Sequence, residues 1–448
     1  MRNPYIAGRW VRGVNHYGRQ RLLNYLLDEP NGTNCAATWL VGTRRMGKTS
    51  MLRQLEFLSN RPDSNLVPLF WDFQGCETPQ EFSEELFFAI EEVEERFDTH
   101  GIQVENLEGQ GAIKILRTLN RALRKSNKAL FLLIDEAEVL LEIGSQDPQW
   151  LARFRKTLQS DYIYTLITST KLLSQLNHMS ESWNTSPFLL GFNLVNLWSL
   201  DPDSAVDLVC QRQVEHTEID IPGPVIEEIL THTNNHPYLT QYLCHKLFED
   251  GKGGRGRLRE IRDDDLVPDQ LVEGFFQIDF GQLTNIERRI LLTVAQLSVA
   301  NEADLLTALN DEHPERIRTF TYGLNKLGHL RNVYDRWTIG NEFLRYWLQH
   351  NMDSLSHQPK SAVSDTSFEK ILETAKRNEH GYLMEMVQGL QTELTKLMQQ
   401  QRSASGYVQT ELSQRIAGLN DHLAKARNEL NIIPNTLKNS SAGYIPAI

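Results

Sequence analysis

The chain has 448 residues, 40% hydrophobic and 23% charged, an ordinary globular composition with room for about two to four domains. Its formal net charge of −12 excludes a surface that is basic throughout, so any nucleic-acid contact needs a local patch. Four cysteines without paired spacing (Cys35, Cys76, Cys210, Cys244), a polar N-terminal segment and no run of 18 apolar residues predict a reducing, cytoplasmic setting with no disulfide frame, zinc site, secretion signal or membrane span.

A short apolar run, Thr38 to Val41, precedes the glycine-bearing "GTRRMGKTSML", and the pattern turns helical from Thr49 to Leu58. "LVPLFWDF" (66–73) is a second strand. "PQEFSEELFFAIEEVEERF" is an amphipathic helix with Phe82, Leu86, Phe87 and Ile90 on one face. A helix near "AIKILRTLNRALRKS" feeds the most apolar strand, "ALFLLIDE" (129–136). "LARFRKTLQS" is helical and "YIYTLITST" (162–170) is again a buried strand. Continuously apolar strands alternating with helices predict a parallel sheet covered on both faces. After "LVNLWSL" the strands stop. Asp201 and Pro202 start a helix, two more flank a break at Asn234 to Pro237, and "DGKGGRGR" (250–257) is expected to be a flexible joint. Three helices, the hairpin "LRNVYDRWTIGN" and the helix "NEFLRYWLQHN" then make a winged-helix arrangement. Beyond the polar linker "SHQPKSAVSDTS", Leu383, Val387, Leu390, Leu394 and Leu397, then Val408, Leu412, Ile416, Leu419, Leu423 and Leu430, predict a coiled-coil-like helical hairpin broken at "QRSASG". The tail after Pro434 is expected to be disordered.

The first loop fits G-x-x-x-x-G-K-[ST] through Gly42, Gly47, Lys48 and Thr49. Gly42 and Gly47 let the backbone of Gly42 to Ser50, through Thr43, Arg44, Arg45 and Met46, curl so that its N–H groups face phosphates. Lys48 reaches the β- and γ-phosphates and the Thr49 hydroxyl ligates Mg²⁺. The position between an apolar strand and a helix is the context this motif requires. Asp135 and Glu136 end the strand "LFLLID". Asp135 is expected to hold Mg²⁺ and Glu136 to polarise an attacking water. The bland reading, two acids capping the next helix, is weaker because a buried strand delivers its terminal carboxylates to the ligand crevice. Glu138 reads as a solvated helix residue. Ser169 and Thr170 are either γ-phosphate sensors or a helix N-cap.

Together, "NPYIAG", "HYGRQRLL", "GTRRMGKTSML", "LLIDEAE" and "NNHPYLTQYLCHKL" resemble the STAND and Orc/Cdc6-like branches of the AAA+ P-loop ATPases, over roughly residues 1 to 350. The resemblance implies an α/β P-loop core with a parallel sheet, a helical lid and a winged helix, with the C-terminal helical hairpin as an addition. It implies an adenine site around Tyr5, Ile6, Tyr17, Gly18 and Arg19, although Tyr17 on its own reads as a core aromatic. It also places Pro237 of "NNHPYL" against the base. This sequence lacks the family's glycine there. His236 either approaches a phosphate or belongs to a plain loop between lid helices.

Ring-forming motors of the superfamily carry an arginine finger after the fourth strand, yet Leu172 to Gln211 contains no Arg and no Lys. Arg153 and Arg155 are conceivable substitutes but read as a solvated face. Within the winged helix, Arg316, Arg318, Lys326, Arg331 and Arg336 interleave with Tyr322 and Tyr334, a pattern compatible with phosphate contacts. Glu312, Glu315 and Asp335 dilute the charge, and the alternative is that the module folds back onto the nucleotide domain. The expected domains are an ATPase core (1–200), lid (201–275), winged helix (276–352), linker (353–368), helical interaction region (369–433) and tail (434–448). The expected function is a slow ATP/ADP switch acting on a protein partner or effector through the C-terminal helices, as an oligomer, in prokaryotic defence by family analogy. The alternative is a DNA-binding ATPase of the origin-binding or transposition-helper type.

Overall fold

The computed structural model describes residues 2–28, 37–174, 188–189, 191–215, 219–251, 255–361, 363–403 and 407–432. Helix α1 (Gln20–Asp28) leads to β1 (Ala37–Val41), α2 (Lys48–Ser59), β2 (Leu66–Asp72), α3 (Pro79–Glu91), the single turn α4 (Glu95–Asp98) and α5 (Ala112–Lys125). Then come β3 (Ala129–Asp135), α6 (Leu140–Gln146), α7 (Pro148–Leu158), β4 (Ile163–Ser169) and β5 (Phe192–Asn196). The strands pair in parallel in the order β2-β3-β4-β1-β5, with Leu40 opposite Thr168 and Asp72 opposite Asp135. The sequence-predicted spans of β1 to β4 agree with the observed ones to within two residues, while β5 starts two residues before "LVNLWSL" and ends four before its close. Alternation across the sheet sends Trp39, Ile134 and Ile167 to the face covered by α3, α5 and α7. It sends Leu40, Phe131, Leu133 and Leu166 to the face covered by α1 and α2. That alternation decides which residues at the strand ends meet the loop.

The lid holds α8 (Pro202–Cys210), β6 (Ile219–Asp220), α9 (Gly223–Thr233), α10 (Pro237–Leu247), β7 (Phe248–Asp250) and β8 (Gly256–Leu258). Strands do not stop after β5: β8 pairs antiparallel with β7 and parallel with β6. The segment expected to be a joint is therefore partly strand, with 252–254 outside the described residues. Two-residue and three-residue strands carry too little periodicity to read in sequence.

Helix α11 (Gln270–Gln282) runs unbroken through the expected boundary between 275 and 276. Phe275 and Phe276 pack on each other, and beyond them stand Tyr238 of the lid and Trp347 of the winged helix. The winged helix is α12 (Asn285–Leu297), α13 (Glu302–Ala308), α14 (Pro314–Lys326), the hairpin β9 (Leu330–Val333) and β10 (Arg336–Ile339), and α15 (Glu342–Ser356). Thr284 and Asn301 close capping boxes with Glu287 and Asp304, which fixes where α12 and α13 begin.

Helix α16 (Asp365–Ser403) packs antiparallel-fashion with α17 (Tyr407–Ile432) through Val387, Leu390, Leu394, Leu423 and Ala426. The break of this hairpin at 404–406 and the tail from 433 lie outside the described residues. The first turns of α16 do not stand apart as a linker. Asp365 accepts the Ile286 N–H at 3.1 Å, and Val363, Phe368 and Leu372 join the winged-helix core. No described helix is long and apolar enough to cross a membrane.

Candidate functional site

The loop between β1 and α2 is built on backbone conformations that L-residues seldom adopt. Gly47 has φ +93° and Arg45 φ +61°; nearby Arg19 has φ +63° and Glu136 φ +52°. Such values cost about 1–3 kcal/mol each for non-glycine residues and gather where a ligand site over-determines the backbone. Arg19 fixes the loop from behind. Its guanidinium donates to the Met46 carbonyl at 2.6 Å and the Trp198 carbonyl at 3.0 Å. Glycine is favoured by φ, and a Cβ on Gly47 would lie 2.9 Å from Arg19 Nη1 and push that guanidinium off the two carbonyls it holds.

Lys48 starts α2, is 6% exposed, and donates to the carbonyls of Gly42 (3.1 Å) and Thr43 (3.3 Å). The Thr49 hydroxyl donates to Asp135 Oδ2 at 2.5 Å. Asp135 Oδ1 accepts the Glu136 N–H at 3.1 Å and the Thr168 hydroxyl. Two hard oxygens side by side at the N-terminus of a helix suit a small divalent cation, and the loop N–H groups beside Lys48 suit phosphate oxygens. Three buried polar atoms around this point, Arg44 Nε, Glu138 Oε2 and Thr170 Oγ1, have no partner among the described residues. Such orphaned atoms are rare in interiors and fit a polar ligand here.

Glu136 sits in the left-handed conformation just past β3, half-buried at the mouth of the loop. Burial, helped by Glu138 and Asp135 and opposed by Lys48 and Arg44, pushes its carboxyl up to about 7. Glu138 is not a solvated residue. It is half-buried and accepts the Thr170 N–H at 2.6 Å. A turn of 3-10 helix after Glu136 folds it back toward the end of β4.

Strand parity separates the two sensor candidates. Ser169 shares the parity of Ile167 and faces Trp39, whose indole N–H it accepts at 2.6 Å, while its own hydroxyl donates to the Thr170 carbonyl. Ser169 therefore does not face the loop; Thr168, unmarked in the sequence reading, does. Thr170 lines the same cavity as Gly42, Thr43, Lys171 and Asp279. Period-two alternation from the buried Leu166 was the available signal.

The aromatic candidates pack on the lid. Tyr5 is 3% exposed and its hydroxyl donates to the Val209 carbonyl at 2.5 Å, and the Ile6 N–H donates to Gln241 at 3.1 Å. Tyr17 packs with Leu200, Ala205 and Leu208, and Gly18 is in close contact with Ser204, 2.7 Å from where its Cβ would be. The Val11 N–H and Gly13 N–H donate to Ser50 and Gln54 of α2. This first segment thus ties lid to loop. His236 caps α10, its Nδ1 accepting the Leu239 N–H at 3.4 Å, and Pro237 is the first helical residue. Burial and Arg19 depress the imidazole to about 3, so it is neutral. A neutral ring committed to a cap is poorly suited to a phosphate, which weakens that reading of His236. Arg153 is exposed on α7 and Arg155 is half-buried there.

Two residues escaped the sequence reading. Lys171, just before the basic-free stretch, is buried in an ion pair with Glu287 of α12, 0% exposed, and its ammonium lies 4.4 Å from the Phe368 ring centre on α16. Asp279 of α11 accepts the Arg44 N–H at 3.4 Å. Glu287 and Asp279 approach from elements more than a hundred residues downstream of the residues they meet, which no local pattern reveals.

Residues 32–176 match a family described as an AAA domain. No curated protein matches the chain. Among solved structures, the Walker-type ATPase paby2304 of Pyrococcus abyssi is similar at 19% identity over 77% of this chain and 99% of that one, with a TM-score of 0.55. The Aeropyrum pernix ORC2 protein aligns at 14% identity over 75% and 93%, TM-score 0.43. The RuvB Holliday junction branch migration motor of Thermotoga maritima aligns at 13% over 77% and 96%, TM-score 0.34. The fold is that of a P-loop AAA domain followed by helical and winged-helix elements.

Proposed function

We propose that the chain is an ATP-binding, slowly hydrolysing switch in which the winged helix and C-terminal helices read the phosphate end of the nucleotide. The observation that carries this is the buried Lys171–Glu287 pair with Phe368 against it, which joins the end of β4 directly to α12 and α16. A cation immediately after the γ-side strand end is thereby held by the domain that would have to move.

In this reading the loop N–H groups and Lys48 bind and orient the phosphates, and Glu136 positions the attacking water and takes its proton. Mg²⁺ held by Thr49 and Asp135 would supply charge neutralisation at the phosphates. Glu138 keeps Thr170 and the end of β4 in register with Glu136. Absence of basic residues from Leu172 to Gln211 favours slow turnover, since an arginine finger is worth about 10³–10⁵ in rate. A protein effector acting through α16 and α17, an oligomeric state and a defence role belong to the same proposal by family analogy alone.

Lys48→Ala is expected to abolish ATP binding; Glu136→Gln is expected to keep binding and stop hydrolysis. Normal binding by Lys48→Ala would remove the site assignment. For the switch, amide exchange of α16 should differ between ADP and a non-hydrolysable ATP analogue; identical protection with both would sink it.

DNA contact is the second reading. The wing tip carries Tyr334, 96% exposed, beside exposed Arg336. Against it, the helix that would enter a groove is covered. In α14, Arg316 pairs with Glu312 and Glu369, Arg318 with Glu302 and Glu315, and Thr319 and Tyr322 are buried under α16. A steep salt dependence of duplex binding would support contact through the wing; no binding at low salt would exclude it.

A further inference from the structure

Helix α11 brings one acidic side chain to the phosphate end of the loop. Asp279 is 6% exposed, and its Oδ1 accepts the backbone N–H of Arg44 at 3.4 Å. It lines one cavity with Gly42, Thr43, Thr170 and Lys171. Lys48, Arg44 and Lys171 are the cations that act on it. Loop N–H groups and Lys48 are the donors this motif reserves for phosphate oxygens. A carboxylate offers the same donors the same chemistry, so it competes for them.

We infer that Asp279 is a nucleotide-selecting residue: in the arrangement seen here its carboxylate holds the outer end of the phosphate cradle, so a nucleoside diphosphate is accepted and a nucleoside triphosphate enters only when α11 moves. The inference rests on the nucleotide reading above and deepens it by naming the residue that separates the two ligands.

Asp279 has no means of stepping aside alone. Its side chain is short and rises from the C-terminal turn of a helix anchored at both ends. Asp269 caps α11 and accepts the Tyr242 hydroxyl at 2.9 Å. Phe276 and Phe280 pack on Trp347 of α15. Arg288 of α12 donates to the carbonyls of Phe280 (3.2 Å) and Gly281 (2.6 Å) at the other end. Displacing α11 therefore draws α12 with it, and Glu287 leaves Lys171. The third phosphate is in this way coupled to the C-terminal helices through a like-charge clash, a repulsive element that sets specificity by penalising one ligand.

The test is direct titration of the full chain with fluorescent ADP and with a fluorescent, non-hydrolysable ATP analogue. Asp279→Asn keeps the size and one carbonyl acceptor but removes the charge. It is expected to improve the ratio of triphosphate to diphosphate affinity by about tenfold or more, equivalent to about 1.4 kcal/mol, with ADP affinity held. Asp279→Glu keeps the charge and is expected to leave the ratio near that of the natural chain. Asp365→Asn loosens the α12–α16 contact without touching the loop and is expected to raise the ratio by less than Asp279→Asn does. An unaltered ratio in Asp279→Asn overturns the inference, as does an equal shift in Asp365→Asn or Asp279→Glu. Equal ADP binding by Lys48→Ala and the natural chain would instead overturn the nucleotide reading itself, and this inference with it.

Discussion

Removing Lys171 tests whether its pair with Glu287 holds the winged helix on the core. In Lys171→Met the buried carboxylate of Glu287, 0% exposed, loses its cation and, among the described residues, keeps the Thr284 N–H at 2.8 Å. Breaking a buried pair by deleting one partner costs about 3–5 kcal/mol. The retained hydrogen bond offsets about 1 kcal/mol of that. The closed arrangement should therefore lose about 2–4 kcal/mol, or about 30- to 700-fold in the closed-to-open ratio at 1.4 kcal/mol per tenfold. Amide exchange across the first turns of α12 and α16 reads this as lost protection, with β3 as an internal reference. Glu287→Gln alone should loosen the same turns by unpairing Lys171. The double variant, with neither charge, should recover part of the loss, giving a coupling of at least about 1.5 kcal/mol. Additivity to within about 0.5 kcal/mol would refute the reasoning, because it would mean the two charges do not act on each other.

Three further outcomes follow from the same contacts. Burial pushes the Asp279 carboxyl up to about 7 from an ordinary 3.8, against the opposing pull of Lys48 and Arg44 of the loop and of Lys171, which Glu287 partly neutralises. A raised acid favours the closed arrangement at low pH and loses that support progressively between about 3.8 and about 7, so exchange of α11, corrected for intrinsic rates, should increase over that range and level off above it, and Asp279→Asn should flatten the profile. Gly47→Ala places a Cβ 2.9 Å from Arg19 Nη1 at φ +93°; it should weaken nucleotide binding at least about tenfold in titration while the sheet stays folded. Leu372→Ala empties the contact of α16 over Gly323 at about 2–3 kcal/mol, and should speed protease cleavage ahead of α16; unchanged cleavage would show that this contact does not hold the helix.

The loop, the acidic strand end, the five strands of the sheet and the winged-helix order were legible in the sequence because each is local. A glycine spacing sets a backbone shape, a run of apolar residues sets a buried strand, and capping residues set where helices start. Lys48, Thr49 and Asp135 come together because β1 and β3 lie one strand apart and both end at the same edge. Strand order and parity were not local. Parity gave Thr168 the place beside Asp135 and turned Ser169 to Trp39. Chain reversal after β3 drew Glu138 out of solvent onto Thr170. The closing of α11, α12 and α16 over the loop put Asp279 on Arg44 and Glu287 on Lys171 across separations of 235 and 116 residues. Side chains that far apart in sequence leave no periodic trace, and only packing decides which of many scattered charges become buried partners.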